Sequence, residues 1–180
     1  MTDLSWETLE SSVAYSCGGF DVVNDTVQLP DGETSEFDYL SSSESVVILP
    51  FTPEGDVVLI EEWRHAVGRR NRALPAGNLE PGEMPETAVH RELREETGHE
   101  TDDIEHLSTV EPANGFSDAV FHYYVARDCE ATATQDLDEN ESIEVTQASF
   151  ASLLDDLEAG DLRDGRSAHG IAHYALFERD

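Results

Sequence analysis

Lysine is absent from this chain. All ten basic residues are arginine, set against 40 aspartates and glutamates in 180 residues, for a formal net charge of -30. Such a surface repels polyanions, so a nucleic-acid partner is disfavoured and a small-molecule partner is expected. Cysteine is nearly missing as well. Cys17 and Cys129 are too few and too distant in sequence to make a disulfide framework, and two free, buried thiols are expected. No apolar run approaches the length of a membrane span, and the acidic opening MTDLSWETLE lacks the apolar stretch of a secretion signal. A soluble, cytoplasmic protein with no membrane role is expected.

What is present is enough for a core. The length suits one compact domain, 38% of the residues are apolar, and they recur in periodic segments, which argues against disorder. The acidic excess then reads as adaptation to high salt, where screening permits a dense carboxylate shell. In composition the chain resembles halophilic archaeal proteins. Its melting temperature is expected to rise across molar KCl, and equal stability in dilute buffer would contradict that view.

The most informative stretch is GNLEPGEMPETAVHRELREETGH, residues 77–99. Its centre, Pro85–Thr97, reads as a helix. Pro85 suits the first turn, Glu86 favours the positive helix end, and Gly98 suits the position past the C-terminus. Ala88, Val89 and Leu93 would face a core. Glu92 and Glu96 are one turn apart and share a face, with Glu95 one step round. These carboxylates are expected to lack a neutralising arginine at helical spacing. Crowding them costs repulsion, which a hard divalent cation relieves, because oxygen ligands are what that ion takes. A solvated acidic face is the bland alternative.

Along the rest of the chain, residues 1–12 read as polar with Leu4, Trp6 and Leu9 as anchors. Residues 20–23 and 26–29 read as strands flanking an Asn24-Asp25 hairpin turn, with another turn at Pro30-Asp31-Gly32 and a strand over 36–40. Residues 41–45 read as a connector, dividing an N-terminal β segment (1–42) from the main domain (43–180). SVVILPF and DVVLIEEW, joined by Thr52-Pro53-Glu54-Gly55, are stronger strands. Residues 64–72 read as a loop carrying Arg64, Arg69, Arg70 and Arg72. Guanidinium pairs well with phosphate, so Arg64, at a strand end near the acidic motif, is the candidate anion binder. Strands are expected over 104–110, 119–126 and 143–145, with an acidic loop over 127–142. Phe150, Leu153, Leu154 and Leu157 mark one amphipathic helix, and Ala168, Ile171, Ala172 and Ala175 a second. His169 and His173 have the spacing of half a metal site, with no third ligand evident.

Gly77, five residues, Glu83, seven residues, then Arg91-Glu92-Leu93-Arg94-Glu95-Glu96-Thr97-Gly98 resembles the motif of the Nudix hydrolase superfamily. Only His99 departs from it, standing where an apolar residue is usual. The stretch Glu62-Trp63-Arg64-His65-Ala66-Val67-Gly68-Arg69, the run Leu74-Pro75-Ala76-Gly77, the loop Gly115-Phe116-Ser117-Asp118 and the run from Asp138 to Val145 look like the ADP-ribose pyrophosphatase branch. Pro112 comes earlier than the proline usual there, and Asn114 stands where a proline often precedes the Gly-Phe-Ser loop.

This resemblance implies an α/β fold: a Nudix α/β/α sandwich around a central mixed sheet, preceded by a small N-terminal antiparallel sheet. It implies a homodimer in which the N-terminal strands reach the partner. It implies Mg²⁺, or Mn²⁺, held by Glu92, Glu96, Glu141 and the Ala76 carbonyl. Glu95 would lie close to the metals as a catalytic residue, Glu139 would be the general base, and Arg64 would bind substrate. Gly77, Glu83, Arg91 and Gly98 would be structural, with Glu83 and Arg91 paired. The implied reaction is hydrolysis of the diphosphate of a nucleoside diphosphate derivative, with ADP-ribose giving AMP and ribose 5-phosphate. The alternatives are another substrate (NADH, a sugar nucleotide, GDP-mannose), a non-catalytic nucleotide-sensing module, or a generic acidic cation-binding protein.

Overall fold

The computed structural model describes residues 4–138 and 141–178. The chain divides into two units, one drawn from the residues up to Glu44 together with Glu111–Val120, the other from Ser45–Val110 and the chain from Phe121 onward.

The first unit is an antiparallel sheet of β1 (Glu7–Ser16), β2 (Asp21–Gln28) and β3 (Thr34–Ser41), in that order. The expected hairpin turn at Asn24-Asp25 does not form. Those residues sit inside β2, opposite Asp38 and Phe37 of β3 and opposite Ser12 and Ser11 of β1. Asn24 keeps its place through a cross-strand hydrogen bond, Nδ2 donating to Asp38 Oδ1 at 2.9 Å, and Thr26 bonds Glu36 likewise. The other expected turn, at Pro30-Asp31-Gly32, is present, and Gly32 N–H donates there to Leu29 O. Residues 7–12, read as polar, open β1, which is exposed along its whole length. Cys17, expected buried, is exposed; Cys129 is buried, and both are free.

The second unit holds the core. β4 (Ser45–Pro50) pairs in parallel with β10 (Phe121–Arg127) and antiparallel with β7 (Ala76–Asn78), and β9 (Asp103–Val110) pairs antiparallel with β10. The result is a mixed sheet in the order β7-β4-β10-β9. A second, antiparallel sheet has the order β12-β5-β6, from β5 (Asp56–Arg64), β6 (Arg69–Ala73) and β12 (Ile143–Ser149). Two short strands, β8 (His99–Glu100) and β11 (Glu130–Ala131), pair with each other. The arginine-rich segment is therefore not the expected loop. A short 3-10 turn, His65–Val67, ends at Gly68 in the left-handed region, and the chain returns along β5 as β6.

β4 is buried on both faces, and that is why its sequence is unbroken apolar text. Val46 and Ile48 pack with Ala88, Val89 and Leu93 of α1 (Pro85–Thr97). Val47 and Leu49 pack on the opposite face with Phe150 and Leu153 of α2 (Phe150–Ala159) and Ile171 of α3 (Gly165–Phe177). Side chains alternate across a strand, so α1 and the α2–α3 pair cover opposite faces of the sheet. His169 and His173 belong to this packing. His169 lies against Tyr123, with ring centroids 4.7 Å apart, and its Nε2 is 3.3 Å from Ser108 Oγ. No helix among the described residues is long and apolar enough to cross a membrane.

Candidate active site

α1 begins at Pro85 without a side-chain cap and has Glu86 in its first turn. It ends at Gly98, whose φ of 72° lets its N–H return to Arg94 O. The unusual His99 is buried, and its Nδ1 sits 3.0 Å from Thr97 O and 3.2 Å from Thr97 Oγ1. A polar ring fits this apolar position because the helix end supplies its partners.

Glu92 and Glu96 face inward from the helix, only 9% and 4% exposed. Glu96 Oε2 accepts the Ala76 N–H at 2.9 Å, tying the helix to β7. Glu92 presses its carboxylate against the backbone of Gly77, leaving no room for a side chain there. Ala at position 77 would push Glu92 aside, and a carboxylate is the flexible end of its side chain. We expect Gly77→Ala to fold with a melting temperature close to wild type but to lose about 10- to 100-fold in divalent-metal affinity, measured by calorimetry. Unchanged affinity would show that the Glu92 position does not matter.

Arg91 sits among acceptors. Its Nε and Nη2 donate to the two Glu83 carboxylate oxygens at 3.0 and 2.8 Å. Nη1 donates to Glu92 Oε1 at 2.6 Å and to Glu95 Oε2 at 3.2 Å, and Nη2 also reaches Asn78 O. The expected Glu83–Arg91 pair is present. The expectation that the three glutamates lack an arginine partner is corrected: Glu95 is four residues after Arg91, and the long guanidinium also spans to Glu92.

The other wall comes from distant segments. The acidic loop is docked on the end of α1, with Gln135 Nε2 donating to Glu96 O at 2.7 Å and Asp136 N–H to Glu95 O. Glu141 is held by Asp138, whose N–H donates to Glu141 Oε2 at 3.1 Å. Arg64 ends β5, and its Nη2 lies 2.5 Å from Glu62 Oε1. That oxygen is shielded from solvent and the pair is not aligned as a hydrogen bond. Together these segments enclose a cleft of about 490 Å³ that Ala76, Glu92, Glu95, Glu96, Glu141 and Arg64 all line. Glu139 lies outside the described residues. Of the other loop arginines, Arg70 pairs with Glu61 and Glu144, and Arg72 with Asp156. A larger hollow, about 820 Å³, lies along α1 and the β8–β11 pair; it has neither Glu92 nor Glu96 in its wall.

Electrostatics set this cleft apart. Burial pushes the Glu96 carboxyl up to about 8, and neighbouring Glu92, Glu141 and Glu62 add to the rise while the Ala76 N–H opposes it. Burial also raises Glu92, against the pull of Arg91, and Glu62, against Arg64 and Arg166. Glu83 is held below the usual range by the Arg91 hydrogen bonds. Burying carboxylates together destabilises their charged form, and a cation between them offsets that cost because their oxygens are the donors it takes. The chemistry of the donors therefore fits a hard divalent ion. As the side chains are placed, no three acidic, histidine or cysteine groups among the described residues stand close enough to hold one.

Sequence reasoning overlooked Glu62, Asp136, Asp138 and Arg166 as cleft residues. Arg166 carried one signal, being one of only ten basic residues in the chain.

A family model described as NUDIX domain matches residues 41–166. An ADP-ribose pyrophosphatase of Bacillus subtilis is 28% identical over 99% of this chain and 97% of that protein. A methanol dehydrogenase activator of Bacillus methanolicus is 30% identical over 86% of this chain and 84% of its own length. A solved structure described as an ADP compounds hydrolase superposes with a TM-score of 0.85 at 21% identity, covering 97% of this chain and 95% of that one.

Proposed function

Because the chain belongs to the NUDIX domain family, we propose that its cleft hydrolyses ADP-ribose to AMP and ribose 5-phosphate with Mg²⁺, Mn²⁺ serving in its place. The chain is a Nudix diphosphatase, of a family that generally needs a divalent metal. The observation that carries the proposal is the buried pair Glu92 and Glu96, facing a cleft that also contains Arg64. The choice of ADP-ribose is supported by the likeness to the Bacillus subtilis enzyme, which runs through the first unit as well as the second.

In this proposal Glu92, Glu96, Glu141 and the Ala76 carbonyl hold the metal. Bound there, a divalent cation supplies neutralisation of the diphosphate and a lowered pKa for water. Arg64 draws in the anionic substrate. Glu139 removes a proton from the attacking water, Glu95 serves close to the metal, and Arg91 keeps Glu92 and Glu95 in place. Glu83 and Gly77 hold the α1–β7 junction rather than touch substrate. The complete set of glutamates opposes a merely sensory module.

The test is to incubate the protein with Mg²⁺ and ADP-ribose in high salt, beside NADH, a sugar nucleotide and GDP-mannose, and to identify products. AMP and ribose 5-phosphate, formed fastest from ADP-ribose, are expected. Faster cleavage of another member of the panel would reassign the substrate, and cleavage of none would refute hydrolysis.

The proposed assembly is a homodimer formed through residues 1–42. β1 is an edge strand, and Leu9, Val13 and Tyr15 stand exposed along it, with Trp6 and Phe20 just beyond its ends. A long edge with apolar side chains is a pairing surface. Sedimentation in molar KCl is expected to give twice the chain mass; a monomer would contradict this.

A further inference from the structure

Three arginines line the cleft: Arg64, Arg91 and Arg166. Arg91 is already engaged, and Arg64 lies against a carboxylate. Arg91 donates to Glu83, Glu92, Glu95 and Asn78 O, and Arg64 is drawn to Glu62. Arg166 is different. Its one ion pair among the described residues is to Asp164, with Nη2 3.5 Å from Oδ2, a distance too long for a good hydrogen bond. Among the described residues, most of the five donors of its guanidinium therefore meet no close carboxylate.

Its support is built from behind. Asp164 caps α3, its Oδ1 accepting both the Ser167 N–H at 2.9 Å and the Ser167 hydroxyl at 2.7 Å. Ser167 is completely buried, and its Oγ accepts the Leu74 N–H at 2.8 Å. Leu74 lies two residues before Ala76, the residue that Glu96 holds. A continuous set of hydrogen bonds thus runs from the loop beside Glu96 to the carboxylate that flanks Arg166. Asp164 does not line the cleft, whereas Arg166 does. Arg166 thus belongs to the cleft wall, and the carboxylate that anchors it stands outside that wall.

The two sides of the cleft also differ in origin. The metal-type carboxylates come from α1, on one face of the sheet, and Arg166 comes from α3, on the other. A diphosphate has anionic oxygens on both of its phosphoryl groups, so a cationic side chain across the cleft from α1 would meet oxygens that the α1 glutamates do not serve. We propose that Arg166 is a substrate-binding residue whose guanidinium fork takes a phosphoryl oxygen of the diphosphate on the side of the cleft away from α1. This rests on the diphosphatase reading above and adds to it the residue that meets the second side of the substrate. Arg64 lies in the same wall, with its Nη2 2.5 Å from Glu62 Oε1, and the two arginines share the anionic substrate.

The test uses Mg²⁺ with inorganic pyrophosphate as the probe, since it has the diphosphate without a nucleoside. Calorimetry at constant ionic strength compares wild type with Arg166→Gln and Arg166→Lys, and ADP-ribose kinetics are run alongside. Charge-assisted hydrogen bonds of this kind predict affinity about 10- to 100-fold weaker in the glutamine variant, and a smaller loss in the lysine variant, which lacks the fork. KM for ADP-ribose is expected to rise by a similar factor, with kcat within a few-fold of wild type. Equal pyrophosphate affinity in folded Arg166→Gln overturns the proposal, as does no binding by wild type. A lowered melting temperature with unchanged affinity would mark Arg166 as structural and overturn it too. Should the glutamine variant not fold, Arg166→Lys decides: a loss of about threefold or more supports the fork, and none overturns it. If wild type leaves ADP-ribose intact while pyrophosphate binding falls in Arg166→Gln, the substrate assignment fails and Arg166 stands. If AMP forms at equal KM in both proteins, the reverse holds.

Discussion

Glu96→Gln is expected to lower turnover by about three orders of magnitude while leaving the protein folded. The amide keeps the shape and one oxygen, so the bond from the Ala76 N–H at 2.9 Å can persist. It loses the negative charge that a divalent ion requires. The same substitution has a second signature in metal-free protein. Burial holds the Glu96 carboxyl at about 8, above its ordinary value of 4.5. A group raised in the folded state binds its proton more tightly there than in the unfolded chain. Its stabilising contribution is complete below about pH 4.5 and is lost as pH rises through about 8. Metal-free wild type should therefore melt progressively lower between those values, and Glu96→Gln should flatten that fall. At pH 8 without metal the variant is expected to melt higher than wild type, by an amount on the order of 5 °C. Mg²⁺ should close that gap by stabilising wild type alone. Calorimetric melts with chelator and with Mg²⁺, over that pH range, check this. A variant that turns over near-normally, or a wild type whose metal-free melting is flat with pH, would contradict the role given to Glu96.

Arg91→Gln is expected to destabilise the fold by about 3 kcal/mol, lowering the melting temperature by roughly 6–12 °C. The guanidinium is mostly covered, and it binds the nearly buried Glu83 as well as Glu92, with side chains 22%, 9% and 12% exposed. Removing it leaves two carboxylates with little water and no counter-ion, which is far costlier than losing a surface pair. Glutamine reaches at most one of the partners. Arg91→Lys keeps the charge but not the fork, and should fall between the two. Activity should drop with stability, because Glu92 and Glu95 lose the group that aims them. Circular dichroism melts in high salt measure the first effect. A shift under about 2 °C would mean that the motif arginine is not what joins α1 to its loop.

These two residues also show how far sequence alone reaches. α1 could be read to its ends, because Pro85, Glu86 and Gly98 act locally and Ala88, Val89 and Leu93 repeat at helical spacing. The Glu83–Arg91 pair was implied by the family resemblance, and the shared face of Glu92 and Glu96 by their spacing of four. What escaped depends on partners far away in sequence. β6 looked like a charged loop, since Arg70 and Arg72 are tolerable in a strand only because Glu61, Glu144 and Asp156 meet them. β2 looked like a hairpin, since nothing local announces that Asn24 will bond Asp38. β1 is exposed throughout, so its pattern reports no core within this chain. The place of Arg166 escaped for a similar reason: only the sheet, with helices on both faces, brings α3 to the cleft of α1.

The most direct test of the account is an anomalous diffraction measurement on crystals soaked with Mn²⁺. The account predicts a strong peak in the cleft, within coordination distance of Glu92 and Glu96 and beside Ala76. An empty cleft at saturating Mn²⁺, with Glu92 still bound to Arg91 and Glu96 still bound only to the Ala76 N–H, would contradict it.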